Sequence, residues 1–65
     1  MNMKEIKKYN KKNVMIELKN GFTAGDLEVR GNEINIYYIT GFGNGAHAYI
    51  AHPLKARDIK NIRVN

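Results

Sequence analysis

The chain contains no cysteine, serine, tryptophan or glutamine and a single proline, Pro53. Without cysteine there is no disulfide frame and no thiolate metal site, which fits a reducing, cytoplasmic compartment. Without serine or cysteine, the hydroxyls of Thr23 and Thr40, apart from the tyrosines, are the remaining candidates for covalent catalysis. Serine and cysteine hydrolases are thereby excluded. Long apolar runs are missing as well. The longest uncharged stretch, Ile34 to Ala51, is interrupted by Asn35, Thr40, Asn44, His47 and the glycines at 41, 43 and 45, so it cannot form a spanning helix, and no membrane partner is expected. Met1 to Glu5 leads into lysines rather than an apolar segment, which gives no sign of a secretory signal.

What is present suits one small domain over 1–65, because 65 residues are too few to bury a second core. No metal and no cofactor are expected. His47 and His52 are the only imidazoles, and five residues of extended chain put them on opposite faces of a strand. Glu17, Asp26, Glu28 and Glu33 fall at strand or turn positions facing solvent, so no carboxylate pair converges for acid–base work. The chain is read as a non-enzyme with no catalytic residue.

Residues 2–12 have a helical pattern. Asn2 can cap, Glu5 stands three residues later, and Met3, Ile6 and Tyr9 form a narrow apolar stripe. From Val14 the period changes to two, with Val14, Ile16 and Leu18 alternating against Met15, Glu17 and Lys19. A three-residue turn, Lys19-Asn20-Gly21, pairs Leu18 with Phe22 and Ile16 with Ala24. The inward parity then passes from even to odd positions, which asks for one extra residue and a sharp bend near Gly25-Asp26. Arg30-Gly31-Asn32-Glu33 is a two-residue hairpin in which Arg30 meets Glu33, Val29 meets Ile34 and Leu27 meets Ile36. A third strand ends at the loop from Thr40 to Gly45. A fourth spans Ala46 to Ala51 and is stopped by His52-Pro53. Leu54 to Asp58 forms one helical turn, and Ile59 to Val64 a last strand. This order, mainly β with a short N-terminal helix over 2–12 and five short strands over 14–64, closes most economically as a strongly bent small barrel.

In outline these features resemble the Sm-like, or more broadly SH3-like, small barrels. The resemblance is carried by the basic helix, by Val14-Met15-Ile16-Glu17-Leu18-Lys19 running into Asn20-Gly21, by Gly25 followed by Leu27, and by Asp58-Ile59-Lys60-Asn61-Ile62-Arg63-Val64 as a closing strand. A Sm-like relationship implies nucleic-acid or nucleotide contacts and ring-forming subunits joined through the fourth and fifth strands. An SH3-like one implies a protein- or DNA-contact module.

The net charge of +5 is unevenly placed: +4 over residues 1–12, −2 over 13–54 and +3 over 55–65. If the last strand pairs with the first, Lys55, Arg57, Lys60 and Arg63 approach Lys4, Lys7, Lys8, Lys11 and Lys12 and merge into one basic region. Such a region suits a polyanion, RNA or DNA, gripped through phosphates. The alternative is that the lysines only solubilise an exposed helix and strand. Phe42, between two glycines, either stacks on a base, fills a partner's pocket or folds back as a lid over the barrel mouth. Tyr37 and Tyr49 share the outward parity and form an aromatic platform or a subunit contact. Three functions are therefore open. The leading one is nucleic-acid binding through the termini by a homo-oligomer. The second is a protein-interaction module, an inhibitor or adaptor, using Phe42, Tyr37 and Tyr49. The third is a ring that sequesters anionic nucleotides. Self-association is expected because strands three and four are apolar on both faces and the core is small.

Overall fold

Asn2 caps the first helix as its position suggests. Its side chain accepts from the Glu5 N–H at 2.9 Å, and its amide reaches back to the Glu5 carboxylate at 3.4 Å. The computed structural model describes residues 1–41 and 47–65, and in it helix α1 is only Met3–Lys7, shorter than the expected 2–12. Lys11 adopts φ 65°, which a continuing helix forbids. The reason lies across the sheet. The Lys11 N–H donates to the Leu27 carbonyl at 2.7 Å, the Leu27 N–H to the Lys12 carbonyl at 3.0 Å, and the Val29 N–H to the Asn10 side chain at 2.8 Å. Residues 10–12 are drawn out of the helix to satisfy backbone groups that would otherwise lack partners.

Strands β1 (Asn13–Leu18), β2 (Gly21–Arg30), β3 (Glu33–Gly41), β4 (His47–Leu54) and β5 (Ile59–Val64) form one antiparallel sheet in the order β4-β3-β2-β1-β5. A single 3-10 turn, Ala56–Asp58, joins β4 to β5, where one helical turn was expected. The molecule is mainly β, with β4 and β5 as the two edges of the hydrogen-bonded order. Among the described residues no helix is long and apolar enough to cross a membrane. The β2–β3 hairpin has the expected register, Arg30 with Glu33, Val29 with Ile34 and Leu27 with Ile36, and Gly31 turns it at φ 57°.

The first hairpin differs from expectation. Leu18 pairs with Gly21, Glu17 with Phe22, Ile16 with Thr23 and Val14 with Gly25, so the turn is the two residues Lys19-Asn20. Phe22 therefore lies on the outer face, 71% exposed. Thr23, Gly25, Leu27 and Val29 keep one inward parity, and β2 needs no extra residue. The irregularity falls in β5 instead: Glu17 pairs with Asn61 and Leu18 with Ile59, leaving Lys60 over. That extra residue allows Ile59 and Ile62, three apart, both to be buried.

β2 pairs with β1 up to Asp26 and with β3 from Asp26 onward. Among the described residues β3 beyond Tyr37 pairs with β4 alone, so the far ends of these two strands form a two-stranded arm. β4 also runs past its expected stop, since Pro53 stands opposite Asn35 within it. An edge strand tolerates a residue without an N–H on its open side. The core is aliphatic: Ile6 from α1, Val14 and Ile16 from β1, Leu27 and Val29 from β2, Ile34 and Ile36 from β3, and Ile59 and Ile62 from β5. Met1, Met3, Tyr9 and Tyr38 pack around it.

Candidate nucleic-acid interface

All nine cations singled out in the sequence, Lys4, Lys7, Lys8, Lys11, Lys12, Lys55, Arg57, Lys60 and Arg63, are exposed. Two sets of contacts bring the charged ends of the chain together. The Met1 nitrogen donates to the Ala56 carbonyl at 3.3 Å and to the Ile59 carbonyl at 3.1 Å. Ile6 enters the same core cluster as Ile59 and Ile62. The first residue of the chain is thus seated against the stretch 56–59, which is flanked in sequence by Lys55 and Lys60.

Not every cation joins this region. Arg63 is on the outer sheet face, its guanidinium 3.6 Å from the Met15 sulfur, in a shallow hollow that also involves Phe22 and Glu17. Lys11 lines a different hollow with Asp26, Glu28 and the tyrosines. Arg30, in that hollow too, is 2.8 Å from the Glu28 carboxylate, an exposed pair of small energetic weight.

The β1–β2 turn adds a cation that the sequence pattern did not single out. The Lys19 N–H donates to the Asp58 carbonyl at 3.1 Å, which pins this turn against the 3-10 turn. Between them and the end of β4 opens a cleft of about 520 Å³. Lys19, Lys55 and Arg57 stand at it, with His52. Leu18, Pro53 and Leu54 supply apolar lining, and half-buried Asp58 is the sole acid among the lining residues. Lys19 could have been found from the expected pairing of first and last strands, which sets the end of β1 beside the start of β5.

A second feature lies on the face of β3 and β4 turned away from the buried Ile34 and Ile36. The rings of Tyr37 and Tyr49 are stacked, 5.3 Å between centroids and 18° between planes. The Tyr49 hydroxyl donates to Asp26 at 2.8 Å, and Asp26 also accepts from Asn13 at 3.0 Å. These two bonds, Asn13 first and Tyr49 second, hold the Asp26 carboxyl below its ordinary value of 3.8. The same bond to Asp26 leads in pushing the Tyr49 hydroxyl above its ordinary 10.0. Tyr49 is 57% and Ile39 67% exposed, so the arm presents an apolar outer face. Phe42 and the loop around it lie outside the described residues, so the stacking, plug and lid alternatives stay where the sequence left them. Among the described residues no group of three or more His, Asp or Glu side chains could hold a metal ion.

Comparison with protein-family models, with curated proteins and with solved structures finds no match for this chain.

Proposed function

We propose that this chain is a non-enzymatic nucleic-acid-binding module, a small barrel of Sm-like or SH3-like type that self-associates through its edge strands and grips phosphates with its basic ends. One observation carries the reading: the Met1 and Ile6 contacts seat the lysine-bearing start of the chain against the basic stretch from Lys55 to Lys60. Two segments far apart in sequence thereby form one positive surface, the arrangement that condensed counterions on a nucleic acid reward. Arginines are few, so base edges are poorly read and sequence preference is low. The strand order supports the barrel, because β1 pairs with β5 and β2 exchanges its partner midway. Self-association draws support from β4, which stands at the end of the strand order and carries no lysine, arginine or acid.

Fluorescence anisotropy with labelled RNA and duplex DNA across a salt series tests the proposal. Five to seven phosphate contacts give a log–log slope near −5 on duplex. Replacing Lys4, Lys7 and Lys8 by alanine should flatten it. Absence of binding at low salt would end this reading and leave a second one, favoured by the stacked Tyr37–Tyr49 pair on the exposed arm: a protein-interaction module acting through its aromatic face.

A further inference from the structure

We infer that the cleft between the β1–β2 turn and the end of β4 seats one nucleotide unit, phosphate and base together. The inference rests on the nucleic-acid reading and makes it specific. The cleft's volume of about 520 Å³ lies within the range of small-molecule sites and is far larger than a lone inorganic anion needs. Its chemistry is divided in the way a nucleotide is divided. Lys19, Lys55 and Arg57 come from two separate turns and can face a phosphate from different sides. Pro53 and Leu54 offer an apolar wall, and the His52 imidazole a planar one, against which a base can lie.

Asp58 decides between a nucleotide and a bare phosphate. A half-buried carboxylate in the cleft repels an inorganic anion, whereas a nucleotide brings sugar hydroxyl and base amino donors that a carboxylate accepts. The turn that carries Lys19 is held by its backbone bond to Asp58, so two sides of the seat keep a fixed spacing before any ligand arrives. A base paired within a duplex cannot enter such a cleft. The occupant is therefore a nucleotide of a single strand or a free nucleotide, and duplex binds only over the outer basic surface.

The test compares a labelled oligouridylate with a duplex of equal length, using His52→Ala, Lys19→Ala and, as a charge-matched control outside the cleft, Lys60→Ala. All three side chains are exposed, and circular dichroism checks that each variant keeps the fold. His52→Ala should weaken single-strand binding about tenfold, the worth of one lost stacking contact, and leave duplex binding unchanged. Lys19→Ala should weaken single-strand binding more than Lys60→Ala does. Uridine monophosphate should shift the backbone amide resonances of residues 18–20, 52 and 54–58. If wild type binds the single strand and both cleft variants behave like Lys60→Ala, with no such shifts, the seat is overturned while nucleic-acid binding stands. Shifts from the mononucleotide without oligonucleotide binding keep the seat, assign it to free nucleotides and overturn the strand reading. No response to any of the three ligands overturns both.

Discussion

Gly21 and Gly25 have nearly the same backbone, φ 153° and 154°, but different surroundings. A Cβ at Gly21 meets nothing within 4 Å, whereas one at Gly25 falls on the Tyr37 carbonyl and 3.1 Å from the Ile36 side chain. Alanine at Gly21 should therefore cost only the backbone strain, about 1–2 kcal/mol. Alanine at Gly25 must also push β3 away at the point where β2 changes partner, and should cost at least about twice as much. Urea unfolding of the two variants measures the difference, and equal losses would show that β3 yields freely. The sequence signals something unusual at Gly25, but an isolated strand glycine marks either an extra residue or a close approach. It is the second here.

At the level of elements, legibility followed how many independent checks each pairing offered. The β2–β3 hairpin was readable because three cross-strand pairs, one charged and two apolar, agree on one register. The first hairpin was not, because Phe22 looks like a core residue, yet it pairs with Glu17 and lies on the outer face beside a hollow that residues from β1 and from the far end of the chain also line. The end of α1 was hidden for a similar reason: the hydrogen-bond partners that draw out residues 10–12, the Leu27 carbonyl and N–H and the Val29 N–H, belong to β2.

The arm of β3 and β4 adds a pH dependence of its own. Asp26 has a depressed folded value, so the stability it contributes is present above the unfolded value and is lost as pH falls through the folded one, below 3.8. Tyr49 has a raised folded value, so its contribution is present below the unfolded value and is lost as pH rises through the folded one, above 10.0. The near-ultraviolet circular dichroism of the stacked tyrosines should hold between these limits and change outside them. Asp26→Asn should abolish the acid change, and an unaltered acid limb in that variant would place its cause elsewhere. Both groups are exposed, so the effect on global stability is small.

For the molecule as a whole, the basic ends were legible as charge and the meeting of those ends as a consequence of pairing first strand with last. The cleft was not, because its walls come from three segments whose proximity is set by tertiary contacts. That same pairing governs when the fold can appear. β1 acquires its second neighbour from β5, as in the approach of Met15 and Arg63, 48 residues apart, and β5 supplies Ile59 and Ile62 to the nine buried core side chains among the described residues. A chain emerging from the ribosome can close its hairpins early, yet Val14 and Ile16 stay uncovered on one side until β5 has been made. Stalled nascent chains that end before Ile59 should thus be cut by protease like unfolded polypeptide, and those with β5 clear of the exit tunnel should resist. Folding is in this sense a last-strand event, and each newly made copy passes through an interval in which its apolar sheet is open to chaperones or to other unfinished copies.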